Sequence, residues 1–558
     1  MPSPRRIPFS FLFLLLLVGI IAACTVPAPA CNQASIRYPA GERLQGGPLR
    51  LGVIDASHLF LNELPDALKI SQAQLAVLDD VRWGVIEPNA PQGDVHSYAW
   101  DAPSVQLDSR VAAYQDAGFE LVIVLRAWNP WARAAGPQGG LAAAAASTPP
   151  KPEYLDDYAA WVQAVVERYD GDGVDDFPGL KDVDGDGRPD PVRYFQIETE
   201  AATGVWWQGT SPETAASEYV TLLRAAASAA RAASPDARIL LGGIAATDML
   251  DRYPSPADLE DVVTNVNPAV CGGLTAFQQI LNARDAYDIV AVHSIADYTG
   301  LATLADWVAT VAGNEKPVWI TGATSAPALT ADPQIISVNP LYPANGQALW
   351  NALRDPADPD HAGVTLWYRA EQARLAFKKW VMAAWSGFDA LVMGYEQDRP
   401  TYEREDYGLR DLAFQGMLAP GEDQLTRPVI HALATVQGQL GGYASVQRLI
   451  GFGPGVYAFQ FMVESQPVTA FWYDDGVAQG PNDPPASTLL TLATQEPQLL
   501  VFTIPTQPGQ TSPDVVSYAP QNGIVTLTLT ETPIIVRGRI QAPALNQLFL
   551  PLTLSQSP

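Results

Sequence analysis

The feature that most constrains the fold is the alternation of short apolar segments, rich in Val and Ile, with longer stretches of helical periodicity. Apolar segments that alternate with helices are typical of a parallel sheet that helices cover. Eight such units in residues 49–440 predict an α/β fold, a (β/α)8 TIM barrel, rather than an open doubly wound sheet. The predicted strands are Leu49–Ile54, Val81–Ile86, Leu121–Arg126, Val192–Ile197, Arg238–Ile244, Ile289–His293, Pro317–Thr321 and Ala390–Gly394.

The pattern changes after the last predicted barrel helix, Arg427–Leu440. Val, Thr and Phe alternate in short segments that Pro-Gly and Asn-Gly pairs separate, which is typical of antiparallel strands joined by tight turns. Residues 441–558 are therefore predicted to form a small antiparallel β-sandwich. Its predicted strands are Gly455–Val463, Val468–Tyr473, Leu499–Ile504, Ile524–Thr530 and Ile534–Val536.

The first 48 residues have the pattern of a targeting segment followed by a tether. Arg5 and Arg6 precede an apolar run, Phe9–Ile21, that is too short to span a membrane comfortably. The residues Ile-Ala-Ala-Cys that end at Cys24 resemble a bacterial lipobox, in which the cysteine is diacylated and becomes the mature N-terminus. We expect a signal peptide over residues 1–23, a lipid anchor at Cys24 and a Pro/Ala/Gly-rich tether over residues 24–48. The chain would then be an extracytoplasmic, cell-surface lipoprotein; the alternative is an ordinary secretory signal cut nearby.

Charge and composition exclude several classes of partner. The chain has 33 Lys and Arg against 60 Asp and Glu, a formal net charge of −27. A nucleic-acid partner needs a basic surface, and so does docking to anionic lipid through a basic patch. Three cysteines are too few for disulfide bonds to stabilise a chain of this size. The five histidines form no pair at metal-ligand spacing. We expect no catalytic cofactor.

The carboxyl ends of the predicted strands carry acidic and aromatic side chains. In a barrel of this kind the active site lies at that end of the strands, which we call the mouth. Flat rings stack on sugars, and carboxylates hold hydroxyl groups or transfer protons, so the mixture predicts a carbohydrate ligand. The alternative for any single Trp is packing in the core. The candidates are Asp55, Glu87, Trp128, Glu198, Glu200, Trp206, Trp207, His293 and Glu396.

One segment, Arg193–Glu200, resembles the fourth strand of clan-A glycoside hydrolases, and the resemblance covers residues 49–440. The chain is most similar to β-xylosidase/α-iduronidase-like and cellulase-like members. In such enzymes this strand ends in an Asn-Glu pair whose Glu is the general acid/base. The resemblance implies that Glu200 has this role, that Thr199 replaces the usual Asn as a sugar ligand, and that His293 lines the sugar site. The alternative for His293 is a histidine with its own protein partners at a strand end.

The resemblance breaks at the seventh strand. The family places its nucleophile after a segment like Lys316–Thr321, and here that position is Gly322. Retaining hydrolysis needs two carboxyl groups about 5–5.5 Å apart, so the usual covalent route cannot run. Three explanations stay open. Glu396 or Asp398 substitutes for the nucleophile, an inverting mechanism uses Glu200 with a more distant base, or the barrel binds glycans without cleaving them. Glu396 can also simply pair with Arg399.

An Asp-rich segment just before the fourth strand has the pattern D-x-D-x-D-G-x-x-D. Alternating carboxylates, a backbone carbonyl and glycines that allow a sharp turn supply the oxygen ligands that Ca²⁺ prefers. We expect a structural calcium site, although a solvated acidic loop gives the same pattern. The predicted ligands are Asp182, Asp184, Asp186, Arg188 and Asp190.

These features leave competing functions. The first is a surface-anchored glycoside hydrolase with Glu200 as general acid/base. The second is a catalytically degenerate lipoprotein that binds glycans, because Gly322 and Thr199 replace family residues. A third is a purely structural lipoprotein without a sugar site.

Overall fold

The structure is a computed structural model of the 558-residue chain. It describes residues 47–56, 63–133, 149–201, 212–244, 276–295, 298–313, 315–329, 343–399, 413–419 and 426–541. The predicted signal peptide, Cys24 and almost all of the predicted tether lie outside these ranges.

Eight parallel strands form the predicted barrel. Hydrogen-bonded neighbours follow chain order from β1 to β5 and from β6 to β8, and β1 pairs with β8, which gives the order β5-β4-β3-β2-β1-β8-β7-β6. Isolated parallel bridges from Leu240 to Ile289 and from Ile244 to Val292 join the two ends of the sheet, so the barrel is nearly closed. The strands are β1 (Arg50–Asp55), β2 (Leu75–Arg82), β3 (Glu120–Arg126), β4 (Tyr194–Ile197), β5 (Arg238–Leu240), β6 (Val290–Ser294), β7 (Val318–Ala323) and β8 (Ala390–Met393).

The second strand lies elsewhere than predicted. The segment predicted as a strand, Val81–Ile86, contains only the end of β2, and Trp83–Ile86 forms one turn of helix. The strand itself begins at Leu75, and its first four residues are fully buried. Asp79 and Asp80, which follow Leu78, interrupt the apolar pattern, so the sequence does not predict a buried strand that continues through them. A register shift between Leu78 and Val81 accommodates the pair.

The helices cover the barrel with their apolar faces. In α4 (Leu155–Tyr169) the buried residues Tyr158, Trp161, Val162 and Val165 recur at helical spacing, and acidic residues in the first turn interact favourably with the helix dipole. The helices are α1 (Leu64–Lys69), α2 (Trp83–Ile86), α3 (Leu107–Asp116), α4 (Leu155–Tyr169), α5 (Pro212–Ala233), α6 (Leu301–Ala312), α7 (Gly346–Arg354), α8 (His361–Trp385) and α9 (Pro428–Leu440). A further helical segment spans residues 276–281. Within the described residues, no helix is both long and apolar enough to cross a membrane.

The C-terminal strands form the predicted antiparallel β-sandwich. One sheet has six strands in the order β14-β13-β16-β11-β10-β9, and the other has three in the order β15-β12-β17. All five predicted strands are present, and β9, β12, β14 and β17 are additional. The strands are β9 (Ser445–Arg448), β10 (Val456–Val463), β11 (Gln466–Tyr473), β12 (Ser487–Thr494), β13 (Leu499–Thr503), β14 (Asp514–Tyr518), β15 (Ile524–Thr530), β16 (Ile534–Arg537) and β17 (Ile540–Gln541).

The sandwich packs directly on the barrel. Trp472 donates a hydrogen bond from Nε1 to the hydroxyl of Tyr298 at 3.1 Å, and the two rings meet edge to face. Trp380 of α8 packs on Phe461 of β10, with ring centroids 5.8 Å apart. Because these residues belong to one continuous apolar core with the barrel strands, the two parts support each other.

Candidate functional site

The centre of the mouth is a contact between the fourth and sixth strands. His293 Nδ1 of β6 lies 2.7 Å from Glu200 Oε1, just after β4. The two side chains are 13% and 12% exposed, so the pair is enclosed but still reaches solvent. With Glu200 ionised, its carboxylate can only accept, and His293 Nδ1 then carries the proton in this bond. The backbone N–H of Glu200 donates to the carbonyl of Gly242 at 2.5 Å, which fixes the turn after β4.

Two glycines make room for the His293 ring. His293 is paired in register with Gly322 of β7, and a Cβ atom at Gly322 would lie 2.9 Å from His293 Cδ2. A Cβ atom at Gly243 would lie only 2.2 Å from Nε2. The imidazole therefore occupies the space that a side chain at position 322 would need, which is where the resemblance places a nucleophile.

Glu198 and Thr199 belong to the same turn but are held by protein groups. Glu198 is fully buried, accepts a hydrogen bond from Arg126 Nε at 3.0 Å and also accepts the backbone N–H of Ala127. The hydroxyl of Thr199 accepts a 3.4 Å hydrogen bond from the amide of Gln196. Glu198 thus positions Arg126 rather than facing solvent, while Thr199 lies between the two glutamates.

The structure adds a carboxylate that the sequence analysis missed. Asp79 belongs to the part of β2 that precedes the predicted strand, and it is partly buried near Arg126 and His293. Burial raises the pKa of Asp79, the neighbouring Asp80 raises it further, and the charges of Arg126 and His293 oppose the rise. The sequence did contain a signal, since Asp79 and Asp80 directly follow four apolar residues. Asp80 is held by Arg82, whose Nε donates to its carboxylate at 2.7 Å.

Two predicted mouth carboxylates, Asp55 and Glu396, are buried and interact electrostatically. Asp55 is fully buried and pairs with Arg110 of α3 at 3.1 Å. Glu396 is 1% exposed, accepts the backbone N–H of Ala56 at 3.1 Å and pairs with Arg399 at 2.5 Å. Burial raises the pKa of Glu396 to about 7, Arg399 opposes that rise and Asp55 adds to it. The pair with Arg399 is the structural role that the sequence analysis left open.

Glu87 and Asp398 are also engaged by protein partners. Glu87 is fully buried, where Trp83 Nε1 donates to it at 2.8 Å and His96 Nδ1 lies 2.9 Å away. The prediction of Glu87 as a mouth residue rests on the misplaced second strand. In the structure that strand ends at Arg82, five residues before Glu87. Asp398 joins Arg427 at 2.6 Å and Arg369 at 3.2 Å.

The predicted aromatic residues divide into two groups. Trp128 lies partly buried at the mouth, with the guanidinium carbons of Arg82 and Arg133 at 5.9 and 5.4 Å from its ring centroid. Trp206 and Trp207 lie outside the described residues.

The Asp-rich segment brings part of the predicted calcium set together. Carboxylate oxygens of Asp182, Asp184 and Asp190 lie within 4.8 Å of one another. Asp186 and Arg188 do not belong to this group; the backbone N–H of Arg188 donates to Asp186 at 2.8 Å. A second group of the same kind lies upstream in the same connection between α4 and β4. Its members are Asp170, Asp172 and Asp176.

A side chain at position 322 tests whether the glycine there makes room for the His293 ring. We expect Gly322→Ala to lower the free energy of unfolding by about 1–3 kcal/mol, because the added Cβ displaces the ring. In Gly322→Ala/His293→Ala the clash is gone, so the double variant should lose less than the sum of the two single losses. Urea denaturation of the three variants measures this coupling.

The matched control is Gly363→Ala in helix α8, where a Cβ meets nothing within 4 Å. This variant should be as stable as the parent protein or more stable, because alanine favours a helix over glycine by about 0.5–1 kcal/mol. Strictly additive losses at positions 322 and 293 would contradict the packing described here.

The raised pKa of Glu396 predicts a pH-dependent stability. Unfolded glutamate titrates near about 4.3, so between that pH and about 7 the folded protein keeps a proton that the unfolded chain has released. The contribution of Glu396 to stability therefore falls as pH rises through this window, and Glu396→Gln removes that fall. We expect the free energy of unfolding of Glu396→Gln, relative to the parent protein, to rise by on the order of 3 kcal/mol from pH 4.5 to pH 8.

Denaturant titrations at several pH values measure this difference. Glu315→Gln, at an exposed position, is the control and should follow the parent protein across the range. A pH-independent difference between Glu396→Gln and the parent protein would show that this carboxyl group titrates normally.

Comparison with known proteins gives structural similarity alone. The sequence matches no protein-family model and no curated protein. A β-xylosidase from Caulobacter crescentus is 13% identical, with a TM-score of 0.49 over 90% of this chain and 98% of its own. For a glucosidase from Croceicoccus marinus the values are 14%, 0.49, 90% and 98%. For a family 30 glycoside hydrolase endoxylanase from Clostridium papyrosolvens they are 11%, 0.48, 89% and 98%. These three structures are glycoside-cleaving enzymes by name, and each has low sequence identity to this chain.

Proposed function

We propose that this chain is a surface-anchored, glycoside hydrolase-like protein whose barrel mouth binds an oligosaccharide or polysaccharide without retaining hydrolysis. The observation that carries the proposal is the His293 ring in the space beside Gly322, hydrogen-bonded to Glu200. A covalent route needs a carboxylate at that point, and the position offers none. The anchor is the lipid at Cys24, and the location is outside the cytoplasm.

Glu200 keeps a role in this proposal as a sugar ligand. Its carboxylate is partly exposed, and one oxygen is oriented by His293. An ionised carboxylate offers two oxygens as acceptors, so the second can receive a sugar hydroxyl. His293 then acts as a positioning residue that holds the carboxylate in one orientation.

A second candidate function is hydrolysis with inversion. The observation that favours it is Asp79, a second carboxyl group in electrostatic contact with His293, which itself bonds Glu200. Inversion uses one carboxyl group as acid and another as base, about 6.5–9.5 Å apart. Because its raised pKa favours the protonated form, Asp79 suits the proton donor and Glu200 the base that activates water.

A glycan array and a panel of aryl glycosides test both functions. We expect binding to a subset of glycans, no product release, and at least about tenfold weaker binding for Glu200→Gln, because a hydrogen bond to a charged acceptor is lost. Glu464→Gln, at an exposed position in the sandwich, is the control and should bind as the parent protein does.

Turnover that disappears in both Glu200→Gln and Asp79→Asn, with binding retained, would instead establish the inverting hydrolase. Failure to bind any glycan would remove both functions and leave a structural lipoprotein.

We also propose that the Asp-rich connection binds Ca²⁺ and stiffens the entry to β4. Three carboxylates within 4.8 Å fit the donor set that this hard cation prefers, and they end four residues before Tyr194. In the bound state Asp182, Asp184 and Asp190 would supply oxygen ligands. The turn that carries Glu200 lies at the other end of the same strand, so ordering this connection would order the mouth.

Calcium should therefore raise the melting temperature, since a ligand that binds only the folded state stabilises it. Chelation with EGTA should reverse the rise, and Asp182→Asn/Asp184→Asn should abolish it. Differential scanning calorimetry measures the shift, with Asp514→Asn on the exposed strand β14 as the control that still responds. A melting temperature that ignores both calcium and EGTA would refute the site.

A further inference from the structure

Arg133, at the mouth, is a cation with no ion-pair partner among the described residues. It lies seven residues beyond the end of β3, on the side of the barrel where the candidate site is. Within the described residues its guanidinium makes no ion pair or hydrogen bond, and its Nη1 is buried without a partner. The guanidinium instead makes a cation–π contact with Trp128, whose ring centroid is 5.4 Å from the guanidinium carbon.

The neighbouring arginines make this unusual. Arg82, which also lies over Trp128, is bonded to Asp80, and Arg126 is bonded to Glu198. The whole chain carries 60 acidic residues against 33 basic ones, so acidic partners are plentiful. An arginine that is left without one in this setting is available to a ligand.

A second buried donor lies beside it. Trp128 Nε1 is buried and has no hydrogen-bond partner within the described residues. A buried donor without an acceptor costs about 1–3 kcal/mol, so two such donors on neighbouring side chains mark a place where an acceptor belongs. A guanidinium presents its N–H groups as a planar fork that matches a carboxylate or a sulfate.

We infer that Arg133 and Trp128 Nε1 form an anion subsite for the acidic group of a glycan, either the carboxylate of a uronic acid or a sulfate ester. The inference rests on the proposed function and names its substrate class. Arg133 then holds the acidic group of one sugar, while Glu200 accepts neutral hydroxyl groups.

The test is a glycan array that carries uronate, sulfated and neutral oligosaccharides, followed by calorimetric titration of matched pairs. The pairs are tetragalacturonate with its methyl ester, and a sulfated oligosaccharide with its desulfated form. We expect acidic hits that lose at least about tenfold in affinity when the charge is removed from the sugar. Arg133→Met should cause a loss of the same size for acidic glycans alone, and Trp128→Phe, which keeps the ring, a smaller one.

Stability separates a binding role from a structural one. Because Arg133 has no described partner to lose, Arg133→Met should keep the melting temperature or raise it, and Arg133→Lys should keep part of the binding. The control is Arg224→Met, which removes an exposed arginine paired with Asp285 and should leave acidic glycan binding unchanged.

Four outcomes overturn the inference. Neutral hits without acidic ones would refute the subsite and leave the proposed function standing, whereas no hits at all would remove the proposed function as well. Equal losses for acidic and neutral glycans in Arg133→Met, or a fall in its melting temperature of more than about 4 °C, would assign Arg133 a structural role. Whether uronate or sulfate is bound follows from which matched pair responds.

Discussion

The hydrogen bond between His293 and Glu200 determines the arrangement of the mouth. It joins β4 to β6 across β5, and it requires both Gly243 and Gly322 to lack side chains. The resemblance implies a nucleophile at position 322, and a side chain there would need the space that the imidazole fills. The glycine at position 322 and the placement of His293 therefore depend on each other.

The architecture could be predicted from the sequence because it depends on local patterns. Buried parallel strands read as apolar runs, and the alternation with helices recurs eight times, so one misplaced strand did not change the barrel. The same error did change the site, because it drew attention to Glu87 and away from Asp79. The pattern of many residues predicts that a strand is present. The prediction of which residue lies at the mouth depends on where that one strand ends.

The roles of the mouth carboxylates could not be predicted in the same way. Asp55, Glu87, Glu198 and Glu396 all follow strands, yet each is occupied by a protein partner. Arg110 lies 55 residues from Asp55, and Arg126 lies 72 residues from Glu198. A carboxylate that is buried must be paired or protonated, and the pairing depends on helices and strands that meet only in the folded barrel. Position after a strand therefore selects candidates, but the partners that meet each carboxylate in the folded barrel decide its role.

Some of the features that cost the fold free energy lie where a ligand would bind. Glu198 and Glu200 both have left-handed backbone conformations, with φ of 65° and 46°, which non-glycine residues adopt at a cost of about 1–3 kcal/mol each. The surrounding bonds from Arg126, Gly242 and His293 hold this turn in place. At the mouth, Arg133 and Trp128 have buried donors for which the described residues provide no acceptor. A strained turn that carries a carboxylate, together with such donors, is what a preorganised site for a polar ligand requires, whether or not the ligand is cleaved there.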